Sequence, residues 1–566
     1  LQESKIELAT NVLDKALDIN PNYLAARLIK AEILLSLGKT ELAEKDIDYI
    51  LDRAPKEPKS NFLKAVVSST KGKNEETNQT FENILKTLRN LPNDIRNENP
   101  QYLFLAGYIL YKQNNLVESA NFFEQYIEKV EDFRAIIMLA EIELTLGNYR
   151  NARTILLKAN RLDSKNSTIF SMLGSAYLAL NEYKNAQLYL LKALKINNSD
   201  PAVLIQLAKS FIAEKNYSKA IEIITPVTSA YPNSVQALLL ENECYIGLSD
   251  FLRAARVTKH LTKTYPKDAN FHFLHGNNQL KNQYLTLAKT SYLSATSLLD
   301  DFIEAEIALV SILIAEQKLL EAKQALLELN TTYPQNIKIM QAMASFHILQ
   351  HEYNQGTVWL EKVLAIEEAN IPALITLNNI AKISNQITNI QTKLEVILQK
   401  QSIAKLHEML GSIYLSQRNY PKALIQFKKN VEITEDPITA LSALANAQLT
   451  ANNLPTAIAT LRKSLMLDDK IISTNILLTK VLLATNNIEQ AQFQIDHIRE
   501  KDESLAIADV LQGDLLYKQG EFSAALKFYK TALRRNTSTN TILSIYRTYK
   551  KLNQFANAEQ LLIKAI

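Results

Sequence analysis

Residues 174–200 read GSAYLALNEYKNAQLYLLKALKINNSD, and residues 411–437 read GSIYLSQRNYPKALIQFKKNVEITEDP. The two stretches share one register. A glycine opens each, a tyrosine stands three residues before an alanine, and a large apolar residue stands four after it. Ala186 and Ala423 mark that register, and the same small-residue column runs through the whole chain. It comprises Ala9, Ala43, Thr77, Ser119, Ala152, Ala186, Ala220, Ala254, Ala288, Ala322, Gly356, Ile390, Ala423, Ala457, Ala491, Ala525 and Ala558. Most steps are 34 residues, three are 33 and one is 42. Tandem repetition at such a period is the signature of a solenoid.

Around the column the pattern holds. Three residues before it lie Tyr149, Tyr183, Tyr217, Phe251, Tyr353, Tyr420, Phe522 and Phe555; four after it lie Leu156, Leu190, Ile224, Leu326, Leu360, Phe427, Leu461 and Tyr529. Twelve before it the residue is small, as at Ala31, Gly107, Gly174, Gly276, Ala344, Gly411 and Gly513. Spacings of 3, 4 and 7 place side chains on one helix face. Small residues let two antiparallel helices approach, and the larger residues fill the space beside them. Pro21, Pro55, Pro232, Pro266 and Pro334 fall twelve after the column, where they cannot continue a helix. Each unit therefore predicts a helix–turn–helix that must stack on its neighbours to bury its apolar face.

Composition agrees. The 566 residues include only 11 glycines and 14 prolines, against a usual ~7% and ~5%. Dinucleotide-binding, phosphate-loop and β-rich folds need more glycine. Few turns per unit, with alanine as the small packing residue, account for the shortage. The net charge is +4, from 63 basic and 59 acidic residues, too even to imply a nucleic-acid partner. Cys244 is the only cysteine, so no intrachain disulfide forms. No run of 18 apolar residues occurs, so no segment is expected to span a membrane. The chain starts at Leu1 without a signal-peptide pattern and ends just after a second helix. Both ends read as truncations, with any targeting segment upstream.

The 34-residue unit resembles the tetratricopeptide repeat, and the resemblance covers essentially the whole chain. It implies an all-α fold: a right-handed superhelical solenoid of about 16 helix-turn-helix repeats. Residues 1–70 hold the N-terminal units, the first one partial. Residues 71–99 form a polar insertion, read as a lengthened loop, helix extension or hinge and as the one internal boundary. Residues 100–566 form a continuous array, with a degenerate unit at 371–403 where Ile390 takes the small position.

In that family the first helices line a concave face. The positions carried over read Ile137, Leu144, Leu178, Ile205, Ile212, Leu239, Ile246, Phe273, Leu280, Ile307, Ile314 and Ile348. Gln341, Lys382, Glu408 and Ser442 interrupt the stripe. Two readings stand: the stripe packs against neighbouring helices, or it accepts an apolar or amphipathic segment of a protein or peptide partner. The family's clamp for chaperone tails needs Asn at the sixth position of successive units. This chain has Ile29, Leu63, Met138, Met172, Gln206, Leu240, Leu274, Ala308 and Ala342 there, so that mode is not expected.

Signatures of catalysis are missing: no phosphate loop, nucleophile elbow, HExxH or CxxC occurs. His272 with His275, and His347 with His351, have helical spacing suited to metal ligation. Nothing completes a ligand set, so no metal or cofactor is expected. Cys244 reads as a buried inert thiol, Trp359 as packing, and EKDIDYILDR (44–53) as a solvated helix face.

Stretches such as ARLIKAEILLSLGKTELAEKDI (26–47) and IPALITLNNIAKIS (371–384) resemble the tetratricopeptide lipoprotein found beside exosortase and PEP-CTERM sorting genes. That resemblance implies a non-catalytic scaffold of the bacterial envelope or periplasm, tied to exopolysaccharide production and protein sorting. Its lipid anchor would sit on a lipobox cysteine upstream of Leu1. The repeat arm of an enzyme such as a glycosyltransferase, and a cytosolic regulator, remain as alternatives.

Overall fold

The computed structural model describes residues 2–90, 92, 98–469, 471–501, 505–536 and 538–565. Among them are 33 helices and no strand. Helix Gln2–Ile19 comes first, and sixteen helix pairs follow, from Leu24–Ser36 with Thr40–Arg53 to Thr539–Lys551 with Phe555–Ala565. The repeat read from the alanine column is thus the repeat of the fold. The chain divides into two compact units, Leu1–Ala305 and Glu306–Ile566. The division falls within helix Ile303–Ala315.

Close packing explains the small-residue column. Ala43, Ala152, Ala186, Ala220, Ala254, Ala288, Ala322, Ala423, Ala457, Ala491 and Ala525 are all fully buried. At Ser119, Thr77 and Gly356 of the same column, the neighbour is the backbone of the first helix, twelve residues earlier. Ser119, in the column, donates its hydroxyl to the Gly107 carbonyl at 2.7 Å, and Thr77 donates to that of Ala65 at 3.3 Å. A Cβ on Gly356 would stand 3.3 Å from the Ala344 carbonyl oxygen. Only a methyl, a hydrogen or a hydroxyl that can donate fits so near a carbonyl. Ile390 is the exception and is still buried; its unit keeps both helices, Ile371–Ile383 and Ile387–Lys400. Ala9, on helix Gln2–Ile19, is exposed.

The turn inside each pair overturns the expectation about glycine. Every such turn has three residues, and its middle residue has positive φ. That residue is glycine only at Gly38, Gly72, Gly147 and Gly520. Elsewhere it is Asn114, Asn181, Lys215, Ser249, Gln283, Gln317, His351, Asn385, Arg418, Asn452, Asn486 or Asn553. At Gly147 the amides of Gly147 and Asn148 bond to the carbonyls of Leu144 and Glu143, at 3.2 and 2.9 Å. This is the Schellman pattern, which satisfies the last carbonyls of a helix. Glycine is scarce because residues that enter the left-handed region at a cost hold most of these turns, not because the units lack turns that call for it.

Several turns between pairs are capped by side chains. Asp132, Asn166, Asp200, Asp268, Asn336 and Asn370 each accept a hydrogen bond from a backbone amide in the first turn of the following helix. Such caps contribute about 1 kcal/mol each. In the 71–99 insertion the helix Asn74–Arg89 runs to 16 residues, against 14 in most second helices. Residues 91 and 93–97 of the insertion lie outside the described residues. Arg89 forks onto Glu118 at 2.6 and 2.7 Å and so ties the long helix to the second helix of the next pair.

Candidate interaction surface

The stripe carried over to the first helices is uneven. In Leu1–Ala305, Ile205 is buried, while Ile137, Leu144, Leu178, Ile212, Phe273 and Leu280 are half-buried. Ile137, Leu144 and Leu178 pack against the core between 65 and 207. Leu239 and Ile246 keep 37% exposure each. They stand seven residues apart on one face of helix Val235–Gly247, with exposed Glu243 between them. In Glu306–Ile566, Ile307, Ile314 and Ile348 are half-buried; Ile314 and Ile348 pack against that unit's core. Further exposed apolar residues, Leu188, Leu191, Leu252, Leu287 and Leu293, sit on second helices. Reasoning from first-helix positions alone missed them.

The histidine pairs are separated by geometry. Helix Ile337–Leu349 ends before His351, which holds a turn at φ 59°. Buried His347 meets Glu352 through Nδ1 at 2.6 Å, while His351 meets the Tyr353 hydroxyl at 3.1 Å. His272 meets the Pro266 carbonyl at 3.0 Å and points away from the partners of His275.

His275 belongs to a buried polar network. Gln279 Nε2 lies 2.9 Å from its Nε2, and Thr258 Oγ1 lies 3.0 Å from its Nδ1. Ser291 donates to Gln279 Oε1 at 2.7 Å, which turns the amide nitrogen toward the imidazole. Asn278 donates to Asn242 Oδ1 at 2.7 Å and to Thr258 at 3.3 Å. These bonds fit a neutral ring protonated on Nδ1. Burial, with the Lys259 and His272 charges, pushes the imidazole down to about 4. Asn242 and Thr258 occupy places that hold small and large apolar residues in most units, so the repeat departs from its pattern here by polar substitution.

Cys244 is fully buried, and burial with the charges of Glu243 and Glu241 pushes its thiol up to about 12. Trp359 is buried under the Lys362 ammonium, 3.6 Å from its ring centre.

Two family models match the N-terminal part of the chain. A tetratricopeptide repeat model covers residues 1–58. The model of the tetratricopeptide repeat protein 21 C-terminal ARM domain covers residues 42–238. Over residues 1–238 the repeats match tetratricopeptide-type models. Among solved structures, the chain is similar to yeast Tom70, with 17% identity over 81% of this chain and 99% of that one (TM-score 0.36). A tetratricopeptide repeat protein from Parabacteroides merdae shares 16% identity over 45% of this chain and 98% of its own (TM-score 0.34). Cut9 with Hcn1, from the APC/C, shares 16% identity over 86% and 95% (TM-score 0.32). No curated protein sequence matches. A tetratricopeptide scaffold of this kind is suited to protein–protein interaction, since stacked helix pairs present extended surfaces. Among the described residues no helix is long and apolar enough to cross a membrane.

Proposed function

We propose that this tetratricopeptide array is a non-catalytic scaffold that holds apolar or amphipathic segments of partner proteins along its first helices. The exposed pair Leu239 and Ile246 carries the reading. Solvated aliphatic side chains seven residues apart on one helix face match the spacing of an amphipathic helix laid into a groove. Phe273 and Leu280 repeat that spacing on the next first helix. Ile307 and Ile314 do so in Glu306–Ile566 as a separate stretch.

Within this reading we place the protein in the bacterial envelope or periplasm, on exopolysaccharide or exosortase-type sorting machinery, held by a lipid anchor upstream of Leu1. The sequence texture of 26–47 and 371–384 supports that assignment. Its test is the fractionation of the native protein, and recovery from the cytosol alone rejects it.

The scaffold is tested by affinity capture from the native organism with wild-type protein and a Leu239→Asp, Ile246→Asp variant. Partners held by wild type and lost by the folded variant support the groove. Equal recovery by both rejects it.

A further inference from the structure

Nine residues before the small column, the first helix turns a side chain toward the core, polar at Ser68, Gln279, His347 and Gln448 and apolar in most other units. Leu34, Tyr177, Tyr414 and Leu482 hold this seat, and all are buried. In the pair Phe133–Thr145 and Tyr149–Leu162 the seat belongs to Glu143. Glu143 is 3% exposed, and its Oε2 is buried without a hydrogen-bond partner. A buried carboxyl oxygen left unpaired has lost its hydration without a hydrogen bond in return, so a donor that reaches it is stabilising.

Glu143 lies at the wall of an opening between repeats. It lines an open cleft of about 790 Å3 between successive second helices, with Asn121, Glu124, Asn148, Arg150 and Asn151. Within the cleft, Asn151 Nδ2 donates to Glu124 Oε1 at 3.4 Å. Arg150 is exposed at the rim and forms no ion pair among the described residues.

A corresponding cleft in Glu306–Ile566 shows what such a place accepts. There Glu361 stands where Glu124 does, five residues after the small column. Lys393 shares that cleft and donates its ammonium to Glu361 at 2.8 Å. The residue that corresponds to Lys393 beside Glu143 is Ile155. One cleft thus carries its own cation. The other carries a second carboxyl group, and the cation that lines it, Arg150, is exposed at the rim and pairs with neither carboxylate among the described residues.

We propose that the Glu124–Glu143 cleft receives the basic side chain of a residue in a protein partner. With the Glu143 side chain turned into the cleft, the guanidinium or ammonium group would pair with Glu143 and Glu124, the latter as Lys393 pairs with Glu361. Charge-assisted bonds of this kind are among the strongest at interfaces. The inference rests on the scaffold reading but uses a face separate from the groove, so the two fail separately.

The test uses the whole chain and three probes: N-acetyl-arginine amide, N-acetyl-lysine amide and, as the neutral isostere, N-acetyl-citrulline amide. Calorimetric or NMR titration is expected to show saturable binding of at least one basic probe, ten-fold or more tighter than citrulline. Glu143→Leu restores the side chain that the seat holds at Leu34 and Leu482, so it folds; it and the surface change Glu124→Gln should each weaken binding at least ten-fold. Ile246→Asp, which disables the groove, should leave probe binding unchanged. Equal binding of citrulline, no binding of any probe, or undiminished binding by Glu143→Leu overturns the proposal. Binding seen only after Arg150→Ala would assign the cleft to the chain's own guanidinium and overturn it too.

Discussion

A Cβ on Gly513 would stand 2.5 Å from the ring of Tyr529, sixteen residues on. The tyrosine hydroxyl then donates to Asp514 at 2.7 Å. Gly276 and Tyr292 repeat the arrangement at 2.6 Å, with Asn277 accepting at 2.8 Å. Gly107 leaves 3.2 Å to Phe123. Helix propensity alone would favour alanine by ~1 kcal/mol at each glycine. Overpacking costs about 1–3 kcal/mol and reverses the sign where clearance is least. Gly513→Ala and Gly276→Ala should therefore destabilise their repeats, and Gly107→Ala should do so less. Hydrogen exchange in helices Ala506–Lys518, Ala269–Lys281 and Gln101–Lys112 reads each repeat separately. Adding Tyr529→Leu to Gly513→Ala should restore protection, because Ala445 with Leu461 is already such a pair. A more protected Gly513→Ala contradicts the steric account.

The turns predict the opposite sign for glycine. Lys215, Gln317 and Arg418 hold φ near 60°. An L-residue spends roughly 1–2 kcal/mol to enter that region, while glycine enters freely but orders a more flexible chain. Lys215→Gly, Gln317→Gly and Arg418→Gly should each stabilise by about 1 kcal/mol. Asn181→Gly should gain less, since asparagine tolerates the conformation. Local hydrogen exchange or the melting temperature checks this, and unchanged or lowered values oppose it.

Acid should loosen the repeats around His275. Its folded value, about 4, lies below the ordinary 6.5. As pH falls through 6.5 the unfolded chain takes up a proton that the folded chain refuses. Stability then declines until about pH 4. With the ring partly solvated, the loss should be on the order of 1–2 kcal/mol. Protonated, the ring would also set an N–H against the Gln279 amide nitrogen. His407, held below its ordinary value chiefly by burial, acts in the same direction. In His275→Gln the decline between pH 7 and pH 4 should shrink, as urea unfolding would show; a profile identical to wild type removes His275 from the account.

Cys244 should resist labelling. Its burial and raised thiol leave almost no thiolate at pH 8. A disulfide reagent should titrate one thiol per chain in denaturant and none within minutes in the native state. Rapid native labelling would show that helix Val235–Gly247 opens.

The repeat was legible because its cause is local. Spacings of 3, 4 and 7 and a column of small residues are written in the order of residues, so the helix pairs and their number follow without coordinates. That small residues let the two helices approach was legible; which atoms they approach was not. These include the carbonyls of Gly107 and Ala65, twelve residues away and on another helix. The left-handed turns were hidden as well, since Lys215 and Arg418 do not look like turn residues. A positive φ there follows from the Schellman bonds that close the preceding helix. His275, whose spacing from His272 suggested a ligand pair, was assigned its partners by Thr258 and Gln279. Glu143 was readable as the acidic residue of a column that mixes apolar and polar side chains, but its unpaired oxygen and open cleft exist only after repeats stack. Period is a property of the chain, whereas burial, pairing and exposure are properties of neighbours. The order of residues thus decided that this protein is a solenoid of helix pairs. Stacking decided which of its side chains are left for a partner.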